Sequence, residues 1–475
     1  MPEPRPTEAG PGFRRALTPF DATKVVVGGI IGAGIFINPY IVAQRLDSPG
    51  LVLAAWVAGG LVAIAGALTF AELGTLKPAA GGHYAYLRDA YHPMAGFLYG
   101  WALLLMIESG AIAAVAISFA EYTYRFLGQA GMPTTPLAVA AIVVTAAINY
   151  LGVKPGARVL NTFVVLKVLA LVVLILAGLF IALGVGAAAG AGGGQETSAA
   201  AAALDSGGRE GGLPFLFFAF GAALIPIMFS YGGWQNANYV AEEIRDPTRN
   251  LPRALLIGTV IVVTVYLLVN VAYLKTLGHS GLAATMTPAS DTAGRLFGPA
   301  GDRLVALAIS VSTFGFLNLT MLAPTRVYYA MARDGVFFPS VARLHPRFRS
   351  PSRAIVVQSA WAVGLALSGT YAQLVDYVVF ADWIFFGLAG ASLFVFRRTH
   401  PARGRPEGAF LTPGYPWIPG IFVAVAVLIV ASVLRSNPVG SGIGVVLLAT
   451  GVPAFLYWSK KGRLAALTER QGREG

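Results

Sequence analysis

Cysteine is absent from the 475-residue chain. Disulfides, thiolate metal sites and cysteine nucleophiles are therefore excluded. Charge is scarce too. Only 12% of residues are charged, against about 25% in soluble proteins. Hydrophobic residues make up 56% and the mean hydropathy is +0.68. That balance places the chain in a lipid bilayer. The five histidines, at 83, 92, 279, 345 and 400, form no close pair, so a zinc motif has no support. No metal, cofactor or catalytic residue is expected. Nucleophile–base pairs are missing from the apolar stretches, which argues against an enzyme. The opening "MPEPRPTEAGPGFRRALTPF" lacks the apolar core and small-residue cleavage site of a signal peptide, and reads as a cytoplasmic tail.

What is present is a series of long apolar stretches. A spanning helix needs roughly 20 apolar residues. Such stretches lie near 20–46, 51–76, 93–125, 136–152, 159–185, 214–243, 253–277, 302–330, 353–371, 374–396, 416–434 and 439–459. The pattern predicts an all-α integral membrane protein with twelve transmembrane helices. Its termini then share one side. With that side inside, 25 of the 34 Lys and Arg fall in inward segments, seven fall in outward loops, and Lys167 and Arg326 lie within spans. The bias predicts cytoplasmic termini in a plasma (inner) membrane. It also accounts for the net charge of +12. Spread over short segments, this charge reads as a topology signal and not as a nucleic-acid surface.

Residues 186–213 are rich in Ala, Gly and Ser and read as a flexible extracytoplasmic linker. The expected division is a tail at 1–19, a first five-helix repeat at 20–185 and the linker. A second repeat at 214–396, helices 11 and 12 with their preceding loop at 397–459 and a tail at 460–475 complete it.

Two stretches carry reasons not to stay helical. "VVVGGIIGAGIFINPYIVAQ", residues 25–44, holds Gly28, Gly29, Gly32, Gly34 and Asn38-Pro39. "ALIPIMFSYGGWQNANYVAEE", residues 223–243, holds Pro226 and Gly232-Gly233 amid Ser230, Gln235, Asn236 and Asn238. A helix-packing face is one reading of the first, since Gly28 and Gly32 form a GxxxG pair. The second stretch favours another. The two open corresponding blocks of spans, and paired interruptions of this kind point to a transport site. Unwinding in a membrane is tolerated only where the freed groups line a cavity or bind something. Amides at a half-helix N-terminus suit a carboxylate, and freed carbonyls suit an ammonium. An amino acid carries both. The candidate substrate-binding residues are Ile31, Gly32, Ala33, Gly34 and Ile35 on the first stretch. On the second they are Phe229, Ser230, Tyr231, Gly232 and Gln235. Phe229 is also placed to act as a gate, against the simpler reading of a lipid- or core-facing ring.

These residues resemble the amino acid–polyamine–organocation superfamily. "GGIIGAGIF" is similar to its first-helix signature. "FSYGGWQNANYVAEEIRDPTRNLPRA" is similar to the sixth-helix signature of the L-type amino-acid transporter branch. "STFGFLNLTMLAPTRVYYAMARDG", residues 312–335, resembles the eighth-helix pattern. The resemblance implies two inverted five-helix repeats with discontinuous helices 1 and 6, two extra helices and alternating access. It also implies an amino-acid substrate, moved by exchange or with a proton. Animal L-type members are joined to a heavy chain by a disulfide, which a chain without cysteine cannot form. "WQNAN" at 234–238 departs from the animal pattern, so side-chain preference does not carry over. In related transporters a fifth-helix lysine replaces a sodium ion, linking helices 1 and 8. Lys167 matches that position, with Ser312 as its expected partner. Snorkelling to the interface is the competing reading of Lys167.

Glu108 sits mid-span in "LLLMIESGAIAAV". It is a candidate for proton coupling or for favouring a cationic side chain, or is a buried carboxyl bonded to a neighbouring helix. Glu72, Glu121 and Asp382 are expected nearer span ends, without special roles. Glu242, Glu243, Arg245, Asp246 and Arg249, with Arg333 and Asp334, are expected to form ion pairs of an inner gate. The overall expectation is a sodium-independent exchanger of neutral L-amino acids. A proton-coupled cationic amino-acid or polyamine carrier and a non-transporting amino-acid receptor on the same fold stand as alternatives. No pattern speaks to oligomeric state.

Overall fold

The computed structural model describes residues 17–77, 82–151, 171–173, 175–176, 178, 212–239, 241–322, 324–341, 345, 350–399 and 408–474. The described residues are built from helices, with a single isolated bridge between Leu17 and Ile244. In chain order these are α1 (Pro19–Ile30), α2 (Gly34–Arg45), α3 (Pro49–Leu76), α4 (His83–Ala90), α5 (Pro93–Ala102) and α6 (Glu108–Phe126). Next come α7 (Thr134–Tyr150), α8 (Gly212–Tyr231), α9 (Asn236–Tyr239), α10 (Pro247–Ala283) and α11 (Pro288–Leu322). The last are α12 (Thr325–Arg333), α13 (Ser352–Ser368), α14 (Tyr371–Thr399), α15 (Trp417–Ser436) and α16 (Pro438–Glu474).

Among the described residues seven helical rods are long and apolar enough to cross a membrane, and an eighth results if the bent pair α1–α2 is one span. The stretches expected at 136–152 and 214–243 appear as shorter apolar helices, Thr134–Tyr150 and Phe218–Tyr231. The span expected at 159–185 and the linker at 186–213 fall largely outside the described residues, with a few helical positions between 171 and 178. Arg45 ends α2, and α3 starts four residues later.

The starts follow local chemistry. Thr18 and Asp21 form a reciprocal capping box on α1, with Pro19 at its first position, where the missing amide costs nothing. On α3 the Ser48 side chain accepts from the Leu51 amide ahead of Pro49, and on α5 the His92 side chain accepts from the Met94 amide ahead of Pro93, each a one-way cap. Inside the bundle, hydroxyls turn back on their own helix. Thr145 donates to the Ala141 carbonyl at 2.7 Å and Thr69 to Ala65 at 2.8 Å. In an apolar medium that satisfies a group which would otherwise go unpaired.

Another span also differs from expectation. The stretch expected as a single helix over 302–330 begins earlier, at Pro288, and bends at Gly298, whose φ is 71°. It stops at Leu322, and α12 takes over after Pro324. Pro324 has no amide to donate and crowds the preceding turn, which favours a break there. The segment after Pro93 is continuous through α6 but contains a π-turn, Leu103–Ile107, immediately before Glu108. The packing pairs α2 with α8, α3 with α10, α6 with α11 and α7 with α13, while α14 lies against α15.

Candidate functional site

The two interruptions face each other. Between α1 and α2 the backbone leaves helical geometry at Ile31–Ala33, and the two helices are bent by 41°. After α8 a turn over Gly232–Gln235 leads into α9. Gly233 has φ of 111°, a region that L side chains rarely adopt. A Cβ built on Gly29 would lie 2.8 Å from the Gly233 carbonyl oxygen. One built on Gly233 would lie 2.1 Å from the Gly29 carbonyl oxygen. The backbones therefore touch with no side chain between them. Close packing and breaking, read from the sequence as rivals, occur together, and Gly29 rather than Gly28 makes this contact.

The freed backbone groups are partly taken up. The Tyr266 hydroxyl donates to the Ile30 carbonyl at 3.0 Å, and the Gly32 amide donates to the same oxygen at 2.7 Å. The Ile31 amide donates to Val27, and that of Phe36 to Ala33. Gly34 and Ile35 open α2, where no preceding turn supplies acceptors for their amides. On the facing side α8 stops at Tyr231. The Gly232 amide reaches back to the Met228 and Phe229 carbonyls, at 2.9 and 3.3 Å. Positive half-helix ends and freed carbonyls thus lie within one small region.

Each candidate side chain has a definite place. Gly32 lies under the Phe316 ring of α11, and Gly34 lies against Ser230, where added Cβ atoms would stand 2.8 and 2.7 Å from their neighbours. Ile31, Ala33 and Ile35 are buried. Ser230 donates to the Pro226 carbonyl at 2.8 Å and accepts from Asn38 at 2.8 Å. Phe229 is half-buried and meets Tyr371 edge to face, with centroids 6.5 Å apart. The Tyr231 ring packs on Trp56 and Tyr266. The Gln235 side-chain oxygen, Oε1, accepts from the Gly233 amide at 2.8 Å and so braces the turn. Ser312 is buried on α11. Lys167 lies outside the described residues, so its expected pairing with Ser312 is not described. Glu108 is buried directly after the π-turn.

Several residues shape this region in ways the sequence reading did not assign. Asn38 donates to the Pro226 carbonyl at 2.7 Å and to Ser230, and it accepts from the Tyr371 hydroxyl at 3.1 Å. An Asn before Pro in an apolar helix is itself the signal of a buried polar tie. Phe316 carries no such signal. Asp382, expected near a span end, lies well inside α14 and within Coulomb range of Glu108. Glu72 is likewise deeply placed. It is fully buried, accepts a two-pronged pair from Arg397 at 2.8 and 2.6 Å, and also takes the Thr412 amide at 2.8 Å. An unpaired carboxylate there would be costly, which is why its partner arrives from the far end of α14.

Ion pairs tie the bundle at both ends. Arg125 of α6 binds Asp291 and Asp302 of α11 at 2.5 and 3.0 Å. At the opposite end Asp334 takes Arg88 at 2.7 Å and the Tyr84 hydroxyl at 2.6 Å, both from α4. Of the residues expected at the gate, Asp334 thus pairs with α4. Residues 243–245 hold Leu17 through backbone. The Leu17 amide donates to Glu243 at 2.9 Å, and the Arg245 amide donates to Leu17 at 3.0 Å.

The family model described as amino acid permease matches residues 17–458. The human cystine/glutamate transporter is 32% identical over 458 residues, 95% of this chain and 87% of the relative. The human b(0,+)-type amino acid transporter 1 is 31% identical over 440 residues, covering 92% and 85%. The human large neutral amino acids transporter small subunit 2 is 30% identical over 468 residues, covering 97% and 84%. With a match over nearly its whole length and helices able to cross a membrane several times, this chain belongs to the amino acid permease family.

Proposed function

We propose that this protein is a sodium-independent transporter of neutral L-amino acids that exchanges one for another by alternating access. The observation that carries this reading is the contact between the two helix breaks at Gly29 and Gly233. It gathers the amides opening α2 and the carbonyls closing α8 around one space, the complement of an α-carboxylate and an α-ammonium. On this reading Gly32, Ala33 and Gly34 offer amides, Phe229, Ser230 and Tyr231 offer carbonyls, and Phe229 covers the site.

The helix pairings support a twelve-span, inverted-repeat architecture over 20–185 and 214–396. The first of the expected spans packs on the sixth, the second on the seventh, the third on the eighth and the fourth on the ninth. That is the pattern expected when two five-helix units interlock. The excess of Lys and Arg in alternate loops supports cytoplasmic termini in a plasma membrane. Lys167 is assigned to stand where a sodium ion would otherwise link the first and eighth spans, beside Ser312. One relative is named a small subunit, but without cysteine this chain forms no disulfide to a companion and acts without a disulfide-linked heavy chain.

A second reading, a proton-coupled carrier of cationic amino acids or polyamines, rests on Glu108 with Asp382 nearby. Uptake of labelled amino acids into proteoliposomes separates the two. Uptake that needs internal amino acid but neither a Na⁺ nor a pH gradient supports the exchanger. Uptake into empty vesicles driven by an inward proton gradient supports the second reading. Sodium dependence would overturn the role given to Lys167, and binding without flux would favour a receptor.

A further inference from the structure

A cavity of about 750 Å³ opens beside α13, away from the helix breaks. Its floor includes Leu104, from the π-turn before Glu108, and Tyr328 of α12. Phe338, Val356 and Val357 line its wall, and Arg353 stands at its rim. Val356 and Val357 are half exposed, at 53% and 50%, although they lie in an apolar helix. Arg353, Val356 and Val357 share one face of α13, since residues three and four apart are neighbours on a helix.

One further observation bears on what fills it. Arg353 is exposed and makes no ion pair among the described residues, and the sequence from Gly335 to Val375 contains no Asp or Glu. The cavity thus joins apolar side chains to one uncompensated arginine at its rim.

We propose that this cavity binds one anionic phospholipid of the adjoining leaflet. The phosphate lies against Arg353, and an acyl chain runs along Val356 and Val357. Basic pockets between spanning helices hold anionic headgroups in this way. Through Leu104 the lipid touches the π-turn that positions Glu108, which couples the leaflet's composition to the interior of the bundle. The proposal does not depend on which solute is carried.

Native mass spectrometry of the full chain tests it, with phosphatidylglycerol and phosphatidylcholine added at equal concentration. One uncompensated arginine near the headgroup predicts about fivefold greater retention of the anionic lipid. Arg353→Gln should remove that preference. Val357→Trp, which fills the cavity without altering charge, should reduce retention of both lipids. Arg398→Gln, an exposed basic residue on another helix, should change neither. Equal retention of the two lipids by the unaltered protein would overturn the proposal and leave only ordinary annular lipid. So would a preference that survives both Arg353→Gln and Val357→Trp.

Discussion

Gly29 and Gly233 touch through their backbones, each occupying the space into which the other's Cβ would point. No other pair of residue types allows this contact, and Gly233 in addition holds φ of 111°. Gly233→Ala must both strain the turn and push the breaks apart. A strained backbone position costs about 1–3 kcal/mol. Uptake in proteoliposomes should fall at least about tenfold, with Gly29→Ala close behind. Gly364→Ala, at an open position on α13, should leave uptake unchanged.

Asn38 ties α2 to α8 through Pro226 and Ser230, and to α14 through Tyr371. Asn38→Ala leaves a buried hydroxyl and a carbonyl short of a partner, at about 1–3 kcal/mol. The melting temperature of the purified protein should drop, and Tyr371→Phe, which removes one bond at the edge of the network, should lower it less.

Arg397 meets fully buried Glu72 with two parallel hydrogen bonds. Removing one partner of a buried pair costs about 3–5 kcal/mol, because the other charge stays behind. Arg397→Ala should be the most destabilising of these substitutions by thermal unfolding. Arg397→Lys should rescue only in part, because an ammonium cannot match both carboxylate oxygens.

His83, at the start of α4, is enclosed by Phe70, Tyr99, Tyr239 and Phe386, and neither ring nitrogen has a partner among the described residues. Burial pushes its pKa down from 6.5 to about 3. Between those values the unfolded chain binds a proton that the folded one does not. Stability is therefore fully present above about pH 6.5 and is lost as pH falls towards 3, by at most about 1.4 kcal/mol per pH unit. The melting temperature should decline between pH 7 and pH 5, and His83→Phe should flatten that slope.

Glu108 separates the two transport readings. If exchange is the activity, Glu108→Gln should retain exchange within about threefold, since less than 1 kcal/mol of barrier is at stake. If a proton is carried, the same substitution should abolish uptake driven by a pH gradient while leaving binding intact.

The sequence by itself settled the solvent, the helical class and the two breaks that face each other, though not the break before Pro324. Long runs of apolar residues admit no other structure in lipid, and Gly and Pro act on the backbone where they stand. It also placed the residues around both breaks, because glycine's freedom is local. What it did not disclose is which groups meet. Glu72 and Arg397 are 325 positions apart, and Glu72 read as an ordinary residue near a span end. Asp334 pairs with Arg88 only because α4 folds across the end of the bundle. Gln235, expected at the substrate, also braces its own turn through a bond the sequence does not show. Asp382 approaches Glu108 because α14 packs against α6. Periodicity reports which face of a helix is apolar, but not which neighbour that face meets. Buried charges choose their partners by three-dimensional proximity, and tertiary packing alone sets that.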